Sequence, residues 1–124
     1  MIRGAVHSDE ARIRLTVVGP GGREAKITAV IDTGYTASLT LRPVTVAALG
    51  LRWRSLDTAT LADGSECTFD VYEATVLWDG KQREILVDEA DTEPLVGMRL
   101  LKGHELKMQV RAGGGVTIKR LRRQ

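Results

Sequence analysis

The residues best suited to chemistry are Asp32-Thr33-Gly34, which follow directly on the apolar run Ala29-Val30-Ile31. A carboxylate at the end of a buried strand, next to a small hydroxyl residue and a glycine, can activate water if a second carboxylate lies close enough to share its proton. Taken alone, the triplet serves equally well to close a turn, because Asp accepts hydrogen bonds from nearby backbone amides and glycine tolerates tight backbone angles. Other chemistries have less to work with. The single cysteine, Cys67, excludes an intrachain disulfide framework and a multi-cysteine zinc site, and two histidines leave little for a histidine-rich centre. His104 shows no triad spacing with any Ser and Asp. Asp88, Glu89, Asp91 and Glu93 lack the glycine and spacing of a calcium motif and read as a solvated loop. Gly113-Gly114-Gly115 is not followed by Lys-Ser/Thr and reads as a hairpin turn, not a phosphate cradle. No metal and no cofactor are expected.

The elements that must position the triplet read mostly with period two. Ile13, Leu15 and Val17 alternate with polar residues, the turn GPGG spans 19–22, and Ile27, Ala29 and Ile31 return as the partner strand. Leu39 to Leu41 form a short apolar segment. Pro43 and Gly50 bracket a short helix over Val44–Leu49. Thr58–Ala62 and Thr68–Trp78 are predicted strands around the turn Asp63-Gly64-Ser65. Asp79-Gly80 leads into Ile85 and Val87, and Met98–Leu101 allows one helical turn. Leu106, Met108 and Val110, then Val116 and Ile118 across the triple glycine, form a last hairpin. The sum is mainly β with one or two short helices, in a barrel or sandwich-like arrangement.

Composition narrows the function classes. A chain of 124 residues is about one domain, and its 43% hydrophobic and 27% charged residues are ordinary for a soluble globular protein. Eighteen basic against sixteen acidic residues give +2, far from the charge density of a nucleic-acid binder, so nucleic acid is not expected as a partner. The basic residues of 119–124 read as a solvated tail, and Trp53 as core packing or surface covering. No apolar run suits a signal peptide or a membrane span, so a cytoplasmic single domain over 1–124 is expected.

Three motifs in order carry a family likeness. Ala29 to Leu41, containing Val30-Ile31-Asp32-Thr33-Gly34, is the first; Ala62-Asp63-Gly64 is the second; Pro94-Leu95-Val96-Gly97-Met98-Arg99-Leu100-Leu101 is the third, with Gly97 65 residues beyond Asp32. On these residues the sequence resembles the retropepsin-like (retroviral-type) aspartic proteases, and more closely their small bacterial members, over roughly residues 12–118. The resemblance implies a closed β-barrel-like acid protease fold with a flap hairpin, and hydrolysis of peptide bonds without metal or cofactor. It implies catalytic roles for Asp32, Thr33 and Gly34. Ala62, Asp63, Gly64 and Ser65 would be the flap tip folding over an extended peptide, and Tyr35, Thr36, Leu95 and Val96 would contribute to substrate binding.

Because the chain holds one Asp-Thr-Gly, the second carboxylate must come from another copy across a two-fold axis, so catalysis implies a homodimer. Tyr35 stands where the family has Ala or Ser, and three roles are open to it: narrowing the cleft, lining a specificity pocket, or packing inward. Met98 stands where viral members have an arginine, and no acidic residue follows soon after Gly34, so the salt bridge of those members is missing from both sides. A non-catalytic peptide- or protein-binding module that keeps the fold is the alternative reading.

Overall fold

The computed structural model describes residues 1–122. Strand β2 (Glu10–Val18) shows how the elements form: Ala11, Ile13, Leu15 and Val17 are buried while the residues between them are not, the period of a strand with one face on the core. It pairs antiparallel with β3 (Glu24–Ile31) as the hydrophobic pattern predicts. Strand β4 (Leu39–Leu41) is buried along its whole length. The short helix α1 (Pro43–Leu49) starts on its proline and stops at Gly50, whose left-handed φ of 61° is cheap only without a side chain; Val46 and Leu49 face the core.

Strands β5 (Arg52–Thr60) and β6 (Glu66–Trp78) form a long hairpin, and β6 continues into β7 (Lys81–Glu89) through the Asp79-Gly80 turn. The two-residue β8 (Leu95–Val96), one turn of helix α2 (Met98–Leu101), β9 (His104–Met108) and β10 (Gly115–Arg120) complete the described chain.

The sheet runs β5-β6-β7-β4-β8-β3-β2, and an added pairing of Thr16–Val18 with Thr75–Leu77 joins β2 back to β6. This closes a ring of strands, not a regular barrel, since β8 and β4 contribute only two and three residues and pair in parallel with β3 and β7. The fold is therefore mainly β, and the ring surrounds one core that includes Trp78, Val17, Leu39, Val76, Val87, Val96 and Leu100.

Several boundaries differ from the sequence reading. Ile2–His7 forms a strand (β1) between β2 and β10, so the folded unit begins well before residue 12. Its turn is Ser8-Asp9, with φ of 51° and 62°; two left-handed residues match the twist of a two-residue hairpin, but neither is the glycine that usually signals it. Strand β5 starts six residues earlier than predicted. Eight of its nine residues are exposed, so no face shows a hydrophobic period, and main-chain pairing with β6 defines it. Ala62 lies in the turn beyond β5, and Val110 beyond β9.

Asp88 and Glu89, expected in a loop, belong to β7 and pair with Thr40 and Leu41 respectively. Lys119 and Arg120 are no frayed tail: they pair with Glu105 and His104, and the Leu121 amide donates to the Gly103 carbonyl. The rest of that tail, Arg123 and Gln124, lies outside the described residues. Trp53 is 57% exposed and donates to Asp70, covering the surface and not packing in the core. Among the described residues no helix is long and apolar enough to cross a membrane.

Candidate active site

The Asp32 loop is held from below by β8. The Val30 amide donates to Pro94 O and the Asp32 amide to Val96 O, both at 2.9 Å, so β3 delivers Asp32 just past its last ladder bond. The Asp32 carboxylate then folds back, Oδ1 accepting the Gly34 amide at 2.9 Å, while the Tyr35 amide donates to Asp32 O. This is the local turn that Asp favours. Asp32 is half-buried; Thr33 and Gly34 are exposed beside it.

The far side of the loop is held by α2. A helix start leaves amides without intrahelical partners. Here the Met98 amide donates to Tyr35 O (2.8 Å) and the Arg99 amide to Ala37 O (3.2 Å). One residue earlier, the Gly97 amide donates to Ser38 O (2.9 Å). Two buried hydroxyl residues, Ser38 and Thr40, stand behind the loop, and Thr40 Oγ1 accepts the Leu95 amide at 2.8 Å. Thr40→Val keeps the shape but leaves that amide unpaired, and is expected to cost about 1–3 kcal/mol of stability in urea unfolding. A loss below measurement error would show that water replaces the hydroxyl.

Tyr35 packs at the junction of the loop and the cleft. Its ring lies against Gly97 and borders a cleft of about 1100 Å³, and its hydroxyl donates to Asp88 Oδ2 at 2.5 Å. Burial raises the phenol far above its usual range, helped by the Asp88 hydrogen bond and charge, so Tyr35 is a protonated donor. Burial also raises the Asp88 carboxyl; the Tyr35 bond lowers it, Asp57 raises it and Arg99 lowers it.

A carboxyl with a raised folded pKa binds more protons folded than unfolded between its two pKa values, so stability falls as pH rises through that window. Asp88→Asn, which keeps an acceptor for Tyr35, is therefore expected to raise the melting temperature at neutral pH. That gain should disappear below the ordinary aspartate range. Circular dichroism melts from about pH 3 to about pH 8 would show it, and a gain constant across that span would exclude ionisation of Asp88 as its cause.

The cleft runs between the Asp32 loop and the β5–β6 hairpin. Gly34, Tyr35 and Thr36 border it together with Asp57, Phe69, Asp88 and Arg99. Asp32 and Thr33 stand at its edge in sequence but not on its wall, and neither do Leu95 and Val96, of which Val96 is fully buried under the loop. Ala62, Asp63, Gly64 and Ser65 form the exposed hairpin tip. There the Leu61 amide donates to Ser65 O, and Asp63 Oδ1 accepts both the Ser65 amide (2.9 Å) and hydroxyl (2.6 Å), which hold its carboxyl below the usual range. The wall residues Asp57, Phe69, Asp88 and Arg99 were not singled out from the sequence as site residues. Asp88 was hidden by its acidic neighbours, and only the β6–β7 register could have revealed its direction.

No family model matches the sequence, and no curated protein does. Among solved structures the chain is similar to a retropepsin-like aspartic protease from Rickettsia conorii, with a TM-score of 0.56 and 16% identity over 98% of this chain and 91% of that one. A ring of strands, a long hairpin over a cleft and an Asp-Thr-Gly loop seated on a short β–helix segment thus come together in one architecture, and the fold of this chain is retropepsin-like.

Proposed function

We propose that the chain is an aspartic endopeptidase whose catalytic pair is Asp32 from each of two copies. The observation that carries this reading is the Asp32 loop: a half-buried Asp32 whose carboxylate accepts the Gly34 amide, in a loop whose main chain is bonded to β8 and α2, with Thr33 and Gly34 exposed next to it for a second copy to meet. The fold likeness supports it. Across a two-fold axis the two carboxylates sit side by side and share one proton, because two like charges that close cannot both ionise. The ionised member takes a proton from the water between them as that water attacks the scissile carbonyl. The protonated member gives its proton to the carbonyl oxygen, and as the resulting diol collapses and the C–N bond breaks, the proton taken from water passes to the leaving amine. The titration belongs to the pair and not to either residue.

Thr33 would bond across the axis and lock the two loops, and Gly34 would let the substrate main chain approach. The β5–β6 hairpin would act as a flap, its tip Ala62–Ser65 closing on an extended peptide paired like an added strand. Tyr35 and Thr36 would border the bound side chains, with Leu95 and Val96 supporting the loop from below.

Light scattering from low to high micromolar concentration, followed by a peptide library on the same samples, tests the proposal. Cleavage that appears with the dimer supports it. A dimer that captures peptides without cleaving them would make the chain a binding module of the same fold, and a chain monomeric with and without peptides would hold only half a site.

A further inference from the structure

Strand register gives the cleft wall a composition that sequence order hides. Along β6, Phe69 and Val71 are two residues apart and share a face. Asp57 lies directly across from Phe69 on β5, and Asp88 directly across from Val71 on β7. Residues paired in this way point to the same side of a sheet, and all four border the cleft beside Tyr35. The result is an apolar floor, with Phe69 half-buried and Val71 4% exposed, flanked by one carboxylate on each side. Asp88 is half-buried and fixed by the Tyr35 hydroxyl. Arg52, Arg54, Arg83 and Arg99 border the same cleft, yet among the described residues none lies within ion-pair distance of Asp57 or Asp88, and Arg83 donates instead to the Leu100 and Arg99 carbonyls.

We infer that Asp88, held in place by Tyr35, is the specificity-determining residue of this cleft, and that it selects a lysine or arginine side chain of the peptide. The aliphatic stem lies along Phe69 and Val71, and the cationic head meets Asp88 from one side and Asp57 from the other. Such side chains bury their stems while their heads keep polar partners. A partly desolvated carboxylate with no cation in ion-pair contact is costly, and the incoming head offsets that cost. A norleucine of the same length covers the floor but leaves the carboxylates unpaired, and a glutamate is repelled. The inference also gives Tyr35 a task, since an alanine there could not reach Asp88. It rests on the reading of the cleft as a substrate groove, and concerns which peptide is taken, not how it is cut.

The test uses matched fluorogenic peptides that carry lysine, norleucine or glutamate at one position at a time. Cleavage by the full chain is measured as kcat/KM, and binding to the Asp32→Asn protein by fluorescence anisotropy. At one position the lysine peptide is expected to exceed norleucine by at least about tenfold, and Asp88→Asn is expected to bring that ratio to within about twofold of unity. Tyr35→Phe, which frees the carboxylate without removing it, is expected to lower the ratio less. No lysine preference at any position, or a preference that survives in Asp88→Asn, overturns the inference. Lysine-dependent binding that needs Asp88 but leads to no cleavage upholds it while the protease reading fails. Cleavage indifferent to charge leaves the protease reading standing and the inference overturned.

Discussion

Asp32→Asn is expected to lower kcat/KM on any cleaved peptide by about 10²–10⁴-fold, the usual contribution of a positioned acid–base group. The substitution is nearly isosteric, and the amide oxygen can still accept the Gly34 amide that Asp32 Oδ1 accepts at 2.9 Å. The turn therefore keeps its shape, and the change in stability should stay within about 0.5 kcal/mol, as for other substitutions that remove no packing. In a symmetric dimer one substitution removes both carboxylates, so no residual pair remains to share a proton. The measurement is a fluorogenic peptide assay with light scattering and circular dichroism on the same samples. Wild-type cleavage by a folded, dimeric variant would sink the paired-carboxylate mechanism. Loss of activity together with loss of fold would be resolved by Asp32→Glu, which keeps the charge but moves it by one methylene.

Gly97→Ala is expected to produce the largest loss of stability of any single small substitution near the loop. A Cβ at this position would stand inside van der Waals contact of the Ala37 carbonyl oxygen and 2.6 Å from both the Tyr35 carbonyl oxygen and its ring atom Cδ2. Two of these three are backbone atoms, so no rotamer change relieves them. The same carbonyls accept the Met98 and Arg99 amides, at 2.8 and 3.2 Å, so moving them apart breaks the bonds that seat the loop on α2.

Overpacking of this kind costs about 3 kcal/mol, near the upper end for small-to-large changes, or about 10 °C in melting temperature for a domain of this size. Cleavage should fall as well, by about 10²-fold, because a displacement of about an ångström at a reacting group costs that much. Thermal melts and kcat/KM measured well below the melting temperature separate the two effects. An alanine variant as stable as the parent would mean that the loop has a second seating, and that the closeness of Gly97 to Tyr35 is not needed.

Much of this architecture is legible from residue order. The alternation of Ile13, Leu15 and Val17, the turn at 19–22, the Pro43 and Gly50 boundaries of α1, and the Asp63-Gly64 and Asp79-Gly80 turns are each dictated by short-range backbone preferences. Strands without a buried face are different. For β5, and for the end of β10, pairing to a distant partner decides the conformation, and nothing in Arg52–Leu56 or Lys119–Arg120 taken alone demands a strand. The Ser8-Asp9 turn was hidden for a related reason: its left-handed residues are stabilised by the hairpin they join, not by their own preference.

The candidate site divides along the same line. The triplet Asp32-Thr33-Gly34, the glycine at 97 and the anomalous Tyr35 are set by the sequence, since their residue types alone carry the chemistry and the close approach. The partners of those residues come from tertiary structure. That the Tyr35 hydroxyl reaches Asp88, fifty-three residues away, follows from a parallel pairing of β4 with β7 that no local pattern encodes. That Asp57, Phe69, Val71 and Asp88 face one cleft follows from a register in which a shift of one residue would turn each of them to the opposite face. Residue identity determined what chemistry this chain can attempt, and long-range strand pairing decided which side chains surround it, because side-chain direction in a sheet is fixed by register and register is fixed only when distant strands meet.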